Sequence, residues 1–248
     1  MHSIMSEAGE KYIQDFGKVF EKHVISEART LAQEVYSESD IQRWTGDDEE
    51  VVDALVAHRG RNVLIEAKAG LFAEVVMAVG HSEIFLHKTR ALPKAVSQAW
   101  ATSLGVRQSR LAPEPVSRAE GNYLLIVTNR ELSTGEGTSL ASMYPEGTMN
   151  PENPDALALL PLENIFVVSI SDFERLAHAV RNEHLDLVEF LDLCVAANKD
   201  GQTSRLYIGH HLDREKIPRN GRSKLVNDAI DVCSNRLASV LEKQSPKP

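Results

Sequence analysis

The stretch Val51-Val52-Asp53-Ala54-Leu55-Val56-Ala57-His58-Arg59-Gly60-Arg61-Asn62-Val63-Leu64-Ile65-Glu66-Ala67-Lys68 decides the fold of this chain. Two runs, 51–58 and 62–67, are apolar at nearly every position and flank Arg59-Gly60-Arg61. This reads as a β-hairpin. Runs so uniformly apolar suit central strands covered on both faces. With Arg59 and Gly60 as a two-residue turn, Asp53 stands directly opposite Glu66. Arginine is not favoured at positive φ, so the turn type stays open; a longer loop in the same register gives the same pairing. Side chains alternate along a strand, so Glu66 and Lys68 share a face while Ala67 points away.

Directly opposed residues have Cβ atoms roughly 4.5–5.5 Å apart. Two carboxylates that close repel unless something positive lies between them. A divalent metal would serve. Asp53 and Glu66 with a backbone carbonyl, that of Ala67, are hard oxygen ligands suited to Mg²⁺ or Mn²⁺. Such a metal polarises a phosphate and activates water, and Lys68 would orient that water or stabilise developing negative charge. The competing reading is an ion-pair cluster on a sheet edge. It is disfavoured because charge within apolar strands is costly unless paired or metal-bound.

Outward from the hairpin, residues 12–33 read as an amphipathic helix, with Ile13, Phe16, Phe20, Val24, Ala28 and Leu31 at three- and four-residue spacing. A short strand is expected at 34–39, and 46–50 is a polar break. Helical patterns run between 73 and 104, interrupted at Pro93. Residues 105–121 read as a loop, 123–128 as a strong strand, 133–161 as a long irregular excursion and 165–170 as another strand. Ser171-Asp172-Phe173-Glu174 is a capping-box pattern opening a helix. Beyond it, 173–243 reads as helical apart from a polar break at about 198–220. The order predicts an α/β fold: a mixed central sheet flanked by helices over 10–172, with a helical C-terminal extension over 173–248.

The totals are consistent with this. The chain has 248 residues, 42% of them hydrophobic, enough for a sizeable core. Two distant cysteines, Cys194 and Cys233, exclude a disulfide framework and fit a reduced, cytoplasmic protein. No run approaches the roughly 18 apolar residues of a membrane span, and the start lacks the pattern of a signal peptide. The formal net charge of −9 weighs against a strongly basic nucleic-acid coat, although it suits a carboxylate site.

Asp53, followed at the end of the next apolar strand by Glu66-Ala67-Lys68, resembles the Asp…(Asp/Glu)-x-Lys signature of the PD-(D/E)xK nuclease superfamily. Two further elements are similar. Gly17-Lys18-Val19-Phe20-Glu21 looks like the Gly-x-x-Phe-Glu-like context of the glutamate on the helix before the sheet. Lys94-Ala95-Val96-Ser97-Gln98 looks like the helix that carries a glutamine after the lysine strand. The family proline before the aspartate is Val52 here. The resemblance covers roughly 12–128 and implies a restriction-endonuclease-like core. It also implies a metal-dependent nuclease acting on nucleic acid, DNA before RNA, in restriction, defence or repair. Glu21, Asp53 and Glu66 would hold one or two Mg²⁺ or Mn²⁺ ions, Lys68 would assist the attacking water, and Gln98 would position it or the substrate. Nucleases that cut both strands often dimerise, so a second copy or a partner subunit of a larger complex is an expected partner. The alternative is a catalytically silent nuclease-fold module serving as an interaction or assembly domain of a larger system.

Other polar residues carry weaker signals. His81, His87, His210 and His211 read as surface or loop histidines, and His58 as solvent-facing beside the turn. Arg107, Arg110 and Arg118 form one basic group, and Arg205, Arg214, Lys216, Arg219, Arg222 and Lys224 another. Either is a phosphate-contact candidate, or simply a solvated charge run. Trp44 and Trp100 read as core or rim residues.

Overall fold

A computed structural model describes residues 2–46, 49–69, 86, 89–132 and 134–219. The helical pattern expected over 73–85, the histidines His81 and His87, and the tail beyond Arg219 lie outside the described residues. The architecture is α/β: a five-stranded mixed sheet of order β1-β2-β3-β4-β5 flanked by helices. In chain order these are α1 (His2–Ala28), β1 (Glu34–Ser37), α2 (Glu38–Thr45), β2 (Ala54–His58), β3 (Arg61–Lys68) and α3 (Ala91–Gln108). Then follow α4 (Glu114–Ser117), β4 (Gly121–Thr128), α5 (Gly137–Ser142), α6 (Asp155–Leu159), β5 (Ile165–Ser169), α7 (Ile170–Arg181), α8 (Leu187–Asn198) and α9 (Ile208–Arg214).

The hairpin has the expected register, with Ala54 opposite Ile65 and His58 opposite Arg61. Its turn is the two-residue kind, Arg59 at φ 47° and Gly60 at φ 74°. Both central residues at positive φ match the right-handed twist of the strands. Arg59 takes this unfavourable conformation while its guanidinium Nε lies 3.0 Å from Asp186, and it also pairs with Glu189. His58 is half-buried and hydrogen-bonds Asp186 at 2.8 Å, so it is not the free solvent-facing side chain expected. β1 and β2 run antiparallel, whereas β4 and β5 join β3 in parallel.

Alternation along the strands divides the core in two. Ala54, Val56, Val63, Ile65, Leu125 and Val127 face α1, α7, α8 and α9, where Phe20, Val24, Phe173, Phe190 and Leu212 bury. Leu55, Leu64, Leu124, Ile126 and Val167 face α3 and its cover, where Leu92, Val96 and Trp100 bury. Trp100 is 2% exposed, and its indole N–H donates to the Leu160 carbonyl at 2.9 Å. Trp44 meets Tyr36 edge-on at 4.9 Å. No described helix is long and apolar enough to cross a membrane.

Several expected boundaries move, each for a local reason. α1 begins earlier and ends at Ala28, where the Thr30 hydroxyl donates to the Glu27 carbonyl at 2.7 Å. The strand expected at 34–39 stops at Ser37. There Asp40 accepts from the Ser37 N–H and hydroxyl at 2.9 and 2.6 Å and so opens α2. Pro93 lies in the first turn of α3, where no N–H is needed, so it does not interrupt the helix. Gly105 lies inside α3 rather than opening a loop: a Cβ there would sit 2.6 Å from Thr45 Cγ2, so glycine lets α2 and α3 approach. The excursion 133–161 contains α5 and α6 and packs down through Leu140, Tyr144, Met149, Ala156 and Leu160. The cap of α7 is Ser169, two residues before the expected one, with its hydroxyl accepting from Asp172 N–H at 3.2 Å. α9 occupies part of the expected polar break, so His211 lies in a helix, 4% exposed and 3.1 Å from Asn198 Oδ1.

Candidate metal centre on the sheet rim

Asp53 stands one residue before β2 and prolongs its pairing on both sides. Its carbonyl accepts from Glu38 N–H at 3.1 Å, and its own N–H donates to Glu66 Oε2 at 3.2 Å. Its carboxylate Oδ2 accepts from Ala67 N–H at 2.6 Å. These bonds bring two acidic side chains together, as the hairpin register requires. Glu66 follows Leu64 on the α3 side of β3 and is 3% exposed. Its other oxygen, Oε1, accepts from the Lys68 ammonium. Lys68 also donates to Gln98 Oε1 on α3 at 3.4 Å.

From the other side come Glu21 on α1 and Glu38 at the start of α2. Glu21, Glu38 and Asp53 each place a carboxylate oxygen within 4.8 Å of the others. Asp53, Glu66, Lys68 and Gln98 are thus linked by hydrogen bonds, and Glu21 meets them through Asp53. Within this arrangement both oxygens of Glu66 are engaged, one by Lys68 and one by the Asp53 N–H. Glu38 stands as the third carboxylate beside Glu21 and Asp53. Sequence reasoning missed Glu38, although a signal existed. β1 and β2 pair antiparallel with Ser37 opposite Ala54, so continuing the register by one residue puts Glu38 opposite Asp53. Finding it required pairing the strand at 34–39 with the hairpin.

The electrostatics follow from crowding negative charge where water is scarce. Burial pushes the Asp53 carboxyl up to about 7, helped by the charges of Glu66 and Glu21 and opposed by the Ala67 N–H and Lys68. Burial also raises Glu66, against the pull of Lys68. The donor set fits a hard divalent cation: three carboxylates, close enough to share one ion, with oxygen ligands of the kind Mg²⁺ and Mn²⁺ take. The lysine ammonium next to them supplies a fixed positive group.

Among the described residues, no histidine takes part in this group. His211 is buried on α9, and burial with nearby Arg205, Arg214 and His210 pushes its imidazole down to about 4. Of the basic groups, Arg107 donates to the Ala119 carbonyl and Arg118 pairs with Glu114 at 2.7 Å. Arg219 pairs with Asp213. Comparison with protein-family models, curated proteins and solved structures finds no match for this chain.

Proposed function

We propose that this chain is a divalent-metal-dependent nuclease of PD-(D/E)xK type that hydrolyses phosphodiester bonds of nucleic acid, DNA before RNA. The observation that carries the reading is the linked group Asp53, Glu66, Lys68 and Gln98, with Glu21 and Glu38 closing on Asp53. Glu21, Glu38 and Asp53 would hold Mg²⁺ or Mn²⁺. When bound there, the ion supplies Lewis acidity toward a phosphate oxygen.

The remaining work belongs to the chain's own side chains. An ammonium has three donors. Glu66 and Gln98 take two from Lys68, which fixes its Nζ and leaves one N–H for a phosphate oxygen or the attacking water. Glu66 holds Lys68 in place, and its burial keeps water from competing for that bond. Lys68 then stabilises negative charge as it develops on the phosphorus centre. Gln98 acts through Lys68, as a positioning residue. The low cysteine content accords with a reducing cytoplasm. Restriction, defence against foreign DNA and repair all use such chemistry.

The test is cleavage of linear, supercoiled and single-stranded DNA with Mg²⁺ or Mn²⁺, with EDTA, and with a Lys68→Ala variant. The expected outcome is metal-dependent cutting that falls by about 10²–10³-fold in the variant. A well-folded wild-type protein that cuts none of the three with either metal would overturn the reading in favour of an assembly module.

A further inference from the structure

Arg219, from the second basic group of the sequence, reaches the C-terminal end of β5. A cavity of about 230 Å³ opens there, with Ser169, Ser171, Asp172, Arg175, Asp213 and Arg219 in its wall. Arg175, on α7, is 4% exposed, and its Nε is buried without a hydrogen-bond partner among the described residues. Its terminal nitrogens hold the Gly209 and Ile217 carbonyls and reach Asp213 at 2.8 Å. Arg219, whose side chain is 77% exposed, approaches the same carboxylate from outside, Nε to Oδ1 at 3.2 Å. Two guanidinium groups thus converge on one anionic seat. The hydrogen bonds from Arg219 and then Arg175 hold Asp213 down at about 2, so the seat stays ionised. α7 also begins in this wall, and the positive end of a helix favours an anion.

The cavity lies on the same rim as the carboxylates. Ser169 is in register with Thr128, and Thr128 with Lys68. Neighbouring strands are about 4.8 Å apart, so the backbones of Ser169 and Lys68 lie roughly 10 Å apart along this rim. We propose that this cavity is a phosphodiester subsite for the bound strand, where Arg175 and Arg219 clamp a backbone phosphate away from the scissile bond and Asp213 fills the seat in the free protein. Planar guanidinium forks suit such a phosphate. The carboxylates of Glu131 and Asp172 in the wall favour a monoanionic diester over a dianion. The assignment of a nucleic-acid strand rests on the nuclease reading; that of a phosphodiester rests on the cavity.

The test is binding of a labelled dinucleotide and a labelled octanucleotide in EDTA by wild type, Arg219→Ala and Asp213→Asn. Melting of each variant checks that the fold is retained. Arg219→Ala should weaken the octanucleotide about fivefold and flatten its salt dependence by roughly one phosphate contact. The dinucleotide carries one phosphodiester, enough to fill the subsite, so Arg219→Ala should weaken its binding as well. Asp213→Asn keeps the shape of the seat and removes its charge, so it should bind the octanucleotide more tightly. Equal octanucleotide binding by wild type and Arg219→Ala would overturn the subsite and leave the nuclease reading standing. If no oligonucleotide binds, but dimethyl phosphate raises the melting midpoint of wild type and not of Arg219→Ala, the subsite stands and the nuclease reading falls. Failure of both ligands overturns both.

Discussion

Asp53 is a carboxylate that the fold keeps close to neutral. Burial raises it from the ordinary 3.8 to about 7, with Glu66 and Glu21 adding to the effect. In the metal-free protein the folded state therefore holds a proton that the unfolded state has released between those values. Stability from this group is full below about pH 3.8 and is lost as pH rises through about 7. Asp53→Asn keeps an acceptor for the Ala67 N–H and removes the charge. It should stabilise the metal-free protein by about 1–2 kcal/mol at pH 8 and by much less at pH 5. Mg²⁺, which competes with the proton, should raise the wild-type midpoint more at pH 8 than at pH 5 and leave the variant unmoved. Thermal melting at both pH values, with and without Mg²⁺, checks this; a variant equal to wild type at pH 8 would sink it. Glu66 contrasts with Asp53. It is the more buried of the two, yet both its oxygens have donors. The hairpin register alone puts the two carboxylates together. Their division of labour depends on Glu38 and Gln98, which arrive from elements outside the hairpin.

Elements end where a side chain captures a backbone group, and these captures were only partly legible. The Ser171-Asp172-Phe173-Glu174 pattern has the right composition for a cap, but the strand must pair with β4 through Ser169 before α7 can begin. Ser169 then caps Asp172 N–H. Ser169→Ala should therefore cost about 1 kcal/mol, whereas Ser171→Ala should cost a few tenths at most. Urea unfolding of the two variants separates them, and the reverse order would return the cap to Ser171. α3 teaches a similar lesson. Pro93 and Gly105 look like breaks in sequence, but the first falls in the opening turn and the second lies against Thr45. Whether a glycine interrupts a helix or admits a neighbouring one depends on what packs there. The excursion 133–161 is irregular in composition but held down by scattered apolar side chains, too widely spaced to show a period.

Across the whole described molecule the C-terminal helices share the core of the sheet. Phe190 and Leu191 of α8 lie in one cluster with Phe20 and Val24 of α1 and Val63 and Ile65 of β3. Phe190→Ala should cost about 3–5 kcal/mol. It should also lower the midpoint that Mg²⁺ raises, as one transition, because the helix packs behind the strands that carry Asp53 and Glu66. A variant whose metal-sensitive transition stays in place while a second one appears would show that α8 unfolds by itself. By itself, the sequence determined the α/β class, the hairpin with its register, and the shared face of Glu66 and Lys68, because strand alternation and a two-residue turn are local rules. It also nominated Glu21 and Gln98, through a resemblance rather than through spacing. Only the tertiary structure decided that Glu38 joins Glu21 and Asp53, that Gln98 reaches Lys68, that His211 is buried, and that Arg175 and Arg219 meet at Asp213. Those contacts depend on how β1, α3, α7 and α9 pack around the sheet. Packing is fixed by volume and burial across the whole chain, which no short window of sequence contains.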